Sequence, residues 1–349
     1  MSGMVRSEIE AMTAYVPGEQ PQGRKVIKLN TNENPYDCSP RVRQAIARAC
    51  QRGLERYPDP MASAFRVRAG EVLGVDPDWI LCGNGSDDLL TIVIRAFVGA
   101  GQLVRYPMPS YVLYRTLADV QGARFDAVPF EPDWSLGQTF AAPAPDLRLV
   151  YLANPNSPSG TVVPPDRIRE FAGQLRCPLL VDEAYVDFAE QSSLPLVAEN
   201  PSIIVTRSMS KSYALAGLRF GFLVAQPQIV AQLVKVKDSY NCSALAIAGA
   251  TAAIDDQAWR AENRIKIVHT RARLTEGMKR LGFEPVPSQA NFVWNVHPDR
   301  PVRSLYEQLK NAGVLVRYME YPAWGDGLRV TVGTDPQIDA FLSLLKEIM

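Results

Sequence analysis

The run PLLVDEA at 178–184, with SIIVTRS at 202–208 and RFGFLVA at 219–225, decides the fold. Each block is short, rich in branched apolar residues and closed by polar or turn-forming ones, which is the pattern of a strand buried on both faces. Toward the N-terminus the pattern repeats in LRLVYLAN (147–154), ARFDAVPF (123–130), LVRY (103–106) and WILC (79–82). Helical periodicity fills the intervals at 87–98, 111–121, 165–175 and 227–238, with Pro165 opening one helix and Gly122 closing another. This alternation predicts an α/β fold whose core is a large, mostly parallel seven-stranded sheet covered by helices.

After about residue 243 the pattern changes to an Ala-rich helix, a charged amphipathic helix near 256–281, and then strand, helix, strand, strand, helix. A smaller α+β domain is expected there, at 243–349, beside a large domain at 46–242. Residues 1–45, with the turn-rich YVPGEQPQG and NTNENPYDCSP, are expected to form an arm packed on the small domain. A chain of 349 residues accommodates two domains. Its 37 basic residues balance its 37 acidic ones, which argues against nucleic acid or an anionic membrane as partner. The five cysteines are scattered and never in a C-x-x-C pair, so neither a disulfide framework nor a zinc cluster is expected. The charged start MSGMVRSEIE and the lack of a long apolar run predict a protein of the cytoplasm. Only two histidines are present, which leaves little material for a metal centre or a Ser-His-Asp triad.

Three segments carry chemistry. In LCGNGSDDLL (81–90) a strand passes through Gly83, Asn84, Gly85 and Ser86 into a helix whose free N–H groups suit an anion. It is neither a dinucleotide fingerprint nor a P-loop, since Asp88 stands where the former needs glycine and no Gly-Lys-Ser/Thr follows. LLVDEAYVDF (179–188) delivers Asp182 to the C-terminal end of a strand, where ligands of open α/β sheets bind. TRSMSKSYALAGLRFGF (206–222) gathers Ser208, Ser210, Lys211 and Arg219, which combine phosphate ligands with a lysine whose amine can be activated by its surroundings. A phosphate cradle, a carboxylate and an activatable lysine at one sheet edge are the set that pyridoxal 5'-phosphate requires.

These motifs, GNGSDD, NPNSPSG, VDEAYVDF, SMSKSYALAGLRFG and LRVTVGT, preceded by YVPG, KLNTNENP and RYPDP, resemble in order the fold-type I aminotransferases, and most closely the histidinol-phosphate aminotransferase family. The resemblance spans nearly the whole chain. It implies that Lys211 holds the cofactor covalently and, once freed by substrate, moves a proton. Asp182 would keep the pyridine nitrogen protonated and Tyr185 would hydrogen-bond the phenolic oxygen. Gly85, Ser86 and Asp87 backbone groups, with Ser208, Ser210 and Arg219, would hold the phosphate. Tyr111 would stack on the ring, and Tyr57 would reach the cofactor of a neighbouring subunit, which requires a homodimer. Arg329 would receive the acidic end of the amino donor or 2-oxo acid acceptor, with Tyr15, Asn32 and Tyr240 lining the substrate pocket.

The family pattern reads Asn-Asn-Pro-Thr-Gly, with its second Asn on the ring oxygen. Here Ser157 aligns with that position and Asn156, the cofactor-binding candidate, precedes it; which of them faces the cofactor stays open, and if neither does, Tyr185 alone would meet the ring oxygen. Asp88 replaces a longer acid, with little consequence expected. The expected reaction is transamination between L-histidinol phosphate and 2-oxoglutarate. Alternatives are an aromatic amino acid aminotransferase acting on phenylalanine or tyrosine, a decarboxylase resembling threonine-phosphate decarboxylase, and a non-catalytic ligand sensor on the same fold.

Overall fold

A computed structural model describes residues 3–14, 18–20 and 26–349. In chain order the strands are β1 (Ile27–Lys28), β2 (Ile80–Gly83), β3 (Leu103–Met108), β4 (Arg124–Pro129), β5 (Leu147–Ala153), β6 (Leu179–Asp182), β7 (Ile203–Ser208), β8 (Gly221–Val224), β9 (Glu284–Pro285), β10 (Phe292–Val296), β11 (Val314–Leu315), β12 (Arg317–Tyr321) and β13 (Gly325–Thr331). Seven form one sheet in the order β2-β8-β7-β6-β5-β3-β4, and these are the seven runs expected from the sequence. All neighbours are parallel except β8, which runs against both β2 and β7. β8 returns from β7 through 209–220 without a crossover helix, and an antiparallel partner is the outcome. That return places Lys211 at the C-terminal edge of the sheet.

Alternate residues of the central strands enter opposite cores. Leu179, Val181, Ile203 and Val205 meet the helices Pro165–Gln174 and Ala244–Asp255 on one face, while Leu180, Ile204, Leu149 and Tyr151 meet the helices Ser86–Phe97 and Leu113–Gln121 on the other. With both faces covered no polar side remains, which explains the unbroken apolar runs. Burial of each Ile or Val here stabilises the fold by about 1.5–3 kcal/mol. The expected helices lie within two residues of their predicted starts, although Pro227–Leu233 ends early.

The C-terminal sheet has the order β12-β13-β10-β9, entirely antiparallel. The helix Gln257–Arg280, capped by Asp256, turns Ile267, Thr270, Leu274 and Met278 toward it, and the helix Asp335–Ile348 completes this third core. β1 pairs in parallel with β11, and Leu29 is buried in the same core. Two helices that the sequence pattern does not announce, Pro40–Gln51 and Ser63–Leu73, pack against Ala244–Asp255, whose Ala246, Ile247, Ala250 and Ile254 belong to a core of the large sheet. Among the described residues no helix is long and apolar enough to cross a membrane.

Candidate active site

A cavity of about 610 Å³ opens at the C-terminal ends of the parallel strands, with Ser86, Asp87, Tyr111, Ser157, Asp182, Tyr185, Ser208, Ser210, Lys211, Arg219, Asn32 and Arg329 in its wall. Strand periodicity explains how β6 contributes. Asp182 faces the cavity, whereas Glu183 faces away and pairs with Arg207 at 2.8 Å. Asp182 is 5% exposed and accepts from Tyr114 Oη at 3.0 Å and Thr206 Oγ1 at 3.1 Å. Burial pushes its carboxyl up to about 6, against the lowering effect of these hydrogen bonds. Such a group is poised to accept a proton or to pair with a cationic N–H. Tyr114 is itself buried, its ring stacked on Tyr151 at 4.6 Å. Neither Tyr114 nor Thr206 was singled out from the sequence, since their roles arise only from the tertiary contacts with Asp182.

The anion cradle forms where the helix Ser86–Phe97 begins. Gly85 has φ +84°, and a Cβ there would stand 2.6 Å from Arg219 Nη2, so glycine is what lets the guanidinium approach this loop. Arg219 donates to Ser210 Oγ at 3.3 Å and lies 3.4 Å from the Asp87 carboxylate, which also accepts from Tyr111 Oη at 3.2 Å. Backbone N–H groups at a helix start, two serine hydroxyls and a guanidinium fit a phosphate. Asp88 does more than expected of it: its carboxylate accepts from the Asn84 N–H at 2.9 Å and from Asn241 Nδ2 at 2.8 Å, clasping the loop.

Lys211 is held from behind. Asn34 Nδ2 donates to the carbonyls of Lys211 and Ser212 at 2.9 and 3.2 Å, the Ser212 hydroxyl bonds Asp187, and Lys211 Nζ reaches the Thr31 carbonyl at 3.3 Å. The NENP motif therefore positions the lysine loop. Tyr185 lies beside it, its ring centroid 5.5 Å from Nζ. Asn32 is buried next to Tyr185 in the cavity wall and donates Nδ2 to its Oη at 3.0 Å.

Asn156 and Ser157 differ in their hydrogen bonding and in their place relative to the cavity. Asn156 accepts from Ser110 at 2.8 Å and donates to the Pro109 carbonyl and Ser159, at 3.1 and 2.9 Å, and it lies outside the cavity wall. Ser157, by contrast, lines the cavity and accepts from Arg329 Nη1 at 3.0 Å. Arg329 also donates to the Asn30 carbonyl at 3.2 Å. Directly opposite it across the β12–β13 ladder stands Arg317, a second guanidinium of the cavity wall that the motif reading did not single out. Tyr57 and Tyr240 do not line this chain's cavity; they stack on each other at 4.4 Å, and Tyr57 is 80% exposed. Asn241, bonded to Asp88, holds the segment of Tyr240 against Tyr57. Tyr15 lies outside the described residues.

The family model for aminotransferase class I and II matches residues 24–345. The histidinol-phosphate aminotransferase of Rhodopirellula baltica is 53% identical over 345 residues, covering 99% of this chain and 95% of that one. Histidinol-phosphate aminotransferase 1 of Trichormus variabilis is 46% identical over 352 residues, covering both chains completely. Among solved structures, histidinol-phosphate aminotransferase from Sinorhizobium meliloti in complex with pyridoxal-5'-phosphate superposes with a TM-score of 0.91 at 27% identity, covering 99% of each chain. With Lys211, Asp182 and the anion cradle gathered on one fold-type I sheet edge, the chain belongs to the class I and II aminotransferases, in their histidinol-phosphate aminotransferase family.

Proposed function

We propose that this protein is a pyridoxal-phosphate-dependent aminotransferase that moves the amino group of L-histidinol phosphate to 2-oxoglutarate, yielding imidazole acetol phosphate and L-glutamate in histidine biosynthesis. The observation that carries the substrate reading is the opposed pair Arg317 and Arg329 on the cavity wall that also holds Lys211 and Asp182. A guanidinium fork suits a phosphate and a carboxylate alike, so one pair serves the donor's phosphate and the acceptor's distal carboxylate in turn. Tyr106, Met108, Phe125 and Tyr321 supply apolar wall for a flat ring.

When bound, pyridoxal phosphate supplies an electron sink that acidifies the α-carbon of an attached amine. The chain's residues do the rest. Ser208, Ser210, Arg219 and the N–H groups at Ser86 and Asp87 would take the phosphate. Asp182 would pair with the ring nitrogen, Tyr111 would cover a ring face, and Tyr185 would donate to the phenolic oxygen. Lys211 Nζ would provide the covalent link and, released, would carry the proton to and from the substrate's α-carbon.

We further infer that two copies associate, because the stacked pair Tyr57 and Tyr240 presents aromatic surface away from its own cavity. The five cysteines are all free, which supports a reducing compartment, and we assign the enzyme to the cytoplasm.

The test is an absorbance titration of the cofactor-loaded protein with L-histidinol phosphate. The lysine-linked band is expected to convert to the pyridoxamine form at low donor concentration, to return with 2-oxoglutarate, and to be missing in Lys211→Ala. Response to phenylalanine but not to histidinol phosphate would transfer the reading to an aromatic donor. Release of carbon dioxide without an acceptor would make the enzyme a decarboxylase.

A further inference from the structure

The Asn32 amide has one orientation that satisfies its neighbours. The backbone N–H of Asn32 donates to Thr331 Oγ1 at 3.0 Å, which leaves the Thr331 hydrogen to donate to Asn32 Oδ1 at 3.1 Å. With Oδ1 so occupied, Nδ2 is directed at Tyr185 Oη, 3.0 Å away, and donates to it. The Asn32 carbonyl takes a further bond from Asn291 Nδ2 at 3.0 Å. Asn32 is 1% exposed with φ 55°, a left-handed conformation that Asn tolerates better than most residues, and it is clamped from every side.

This clamp has a chemical consequence for Tyr185. A phenol oxygen that already accepts an N–H has its own hydrogen available for another acceptor, and the donor it receives strengthens that hydrogen as a donor in turn. Tyr185 lines the cavity beside Lys211, with Phe292 packed edge-on against its ring at 5.0 Å. We propose that Thr331 and Asn32 are positioning residues, a hydrogen-bond relay that fixes Tyr185 as a donor into the cavity and presents its O–H to the cofactor's phenolic oxygen. The inference rests on the pyridoxal phosphate reading above and extends it to two side chains that act through Tyr185. A donor on the phenolic oxygen lowers its basicity, so the proton shared between that oxygen and the lysine-linked nitrogen leaves at lower pH.

The experiment is a pH titration of the bound cofactor's absorbance, with circular dichroism to establish folding. Asn32→Asp keeps the shape but replaces the N–H with an acceptor that captures the Tyr185 hydrogen. Its titration midpoint is expected to rise as far as that of Tyr185→Phe. Asn32→Gly and Thr331→Val should raise the midpoint by about half a pH unit. Thr331→Ser keeps the hydroxyl and should titrate like wild type. Asn32 variants that fold and titrate within about 0.1 unit of wild type, while Tyr185→Phe shifts, would overturn the relay. Should both Asn32 variants fail to fold, the comparison of Thr331→Val with Thr331→Ser decides: equal midpoints overturn the proposal and unequal ones support it. A wild-type protein with no lysine-linked band would instead sink the cofactor reading, and the relay with it.

Discussion

Asp182 ends β6 in a fully buried position, and its ionisation is controlled by what faces it. Without a cation opposite, burial raises the carboxyl to about 6, whereas an unfolded Asp titrates near 3.9. Between those values the folded cofactor-free protein binds a proton that the unfolded chain does not. The stabilising contribution is therefore complete below about pH 4 and lost as pH rises through about 6. Cofactor-free Asp182→Asn should melt higher than wild type at pH 7.5, by an equivalent of about 1 kcal/mol, with the gap closing at pH 4.5 while transamination is abolished. A gap independent of pH in calorimetry would refute this. At the other end of the cavity, Arg317→Ala should raise the KM for histidinol phosphate by about tenfold or more, because a dianionic phosphate loses one of two forks. Steady-state kinetics should show a smaller effect on 2-oxoglutarate, whose singly charged carboxylate is still met by Arg329.

At the scale of elements, the cradle depends on how closely β8 approaches the loop before the helix Ser86–Phe97. A Cβ on Gly221 would stand 2.7 Å from Ser86 N, 2.8 Å from Gly85 C and 2.9 Å from Arg207 O, all backbone atoms with no rotamer to yield. Gly221→Ala should cost about 1–3 kcal/mol of stability and weaken cofactor binding about tenfold or more. Urea unfolding and a cofactor titration would check the two parts separately. The same scale bears on domain division. Ala244–Asp255 packs into a core of the large sheet, and we propose a domain boundary near Asp256, where the capped helix Gln257–Arg280 begins. Ile27 to Leu29 pack on the third core, and Pro40–Gln51 packs against Ala244–Asp255.

For the whole molecule, the exposed Tyr57 and the cavity that lacks it are reconciled if each site draws Tyr57 from a second copy. Mixing the inactive Lys211→Ala with a defective Tyr57→Ala protein should then restore activity, since a mixed dimer contains one site with both residues. Activity recovered after subunit exchange would support the shared site. None, with exchange verified by mass, would confine each site to its own chain.

The sheet and its chemistry were legible early because strands buried on both faces must be continuously apolar, and because a lysine-serine-arginine loop in an otherwise apolar setting has few inexpensive explanations. Lys211 lies in that loop, Asp182 ends one such strand and the Gly85–Asp87 turn follows another, so local pattern points to them without any contact. Other parts were silent for a definite reason. Tyr114 and Thr206 reach Asp182 across intervals of 68 and 24 residues, Asn34 holds Lys211 across 177, and Thr331 meets Asn32 across 299. Ser157 displaced Asn156 from the cavity because Ser110, Pro109 and Ser159 consume the amide, and Arg317 became a partner of Arg329 through strand register alone. By itself the sequence determined which residues had to be buried and which reactive groups had to end strands, since both follow from local periodicity. Tertiary structure decided which polar atoms those groups meet, because hydrogen bonds and ion pairs depend on distances of a few ångströms between segments far apart in the chain.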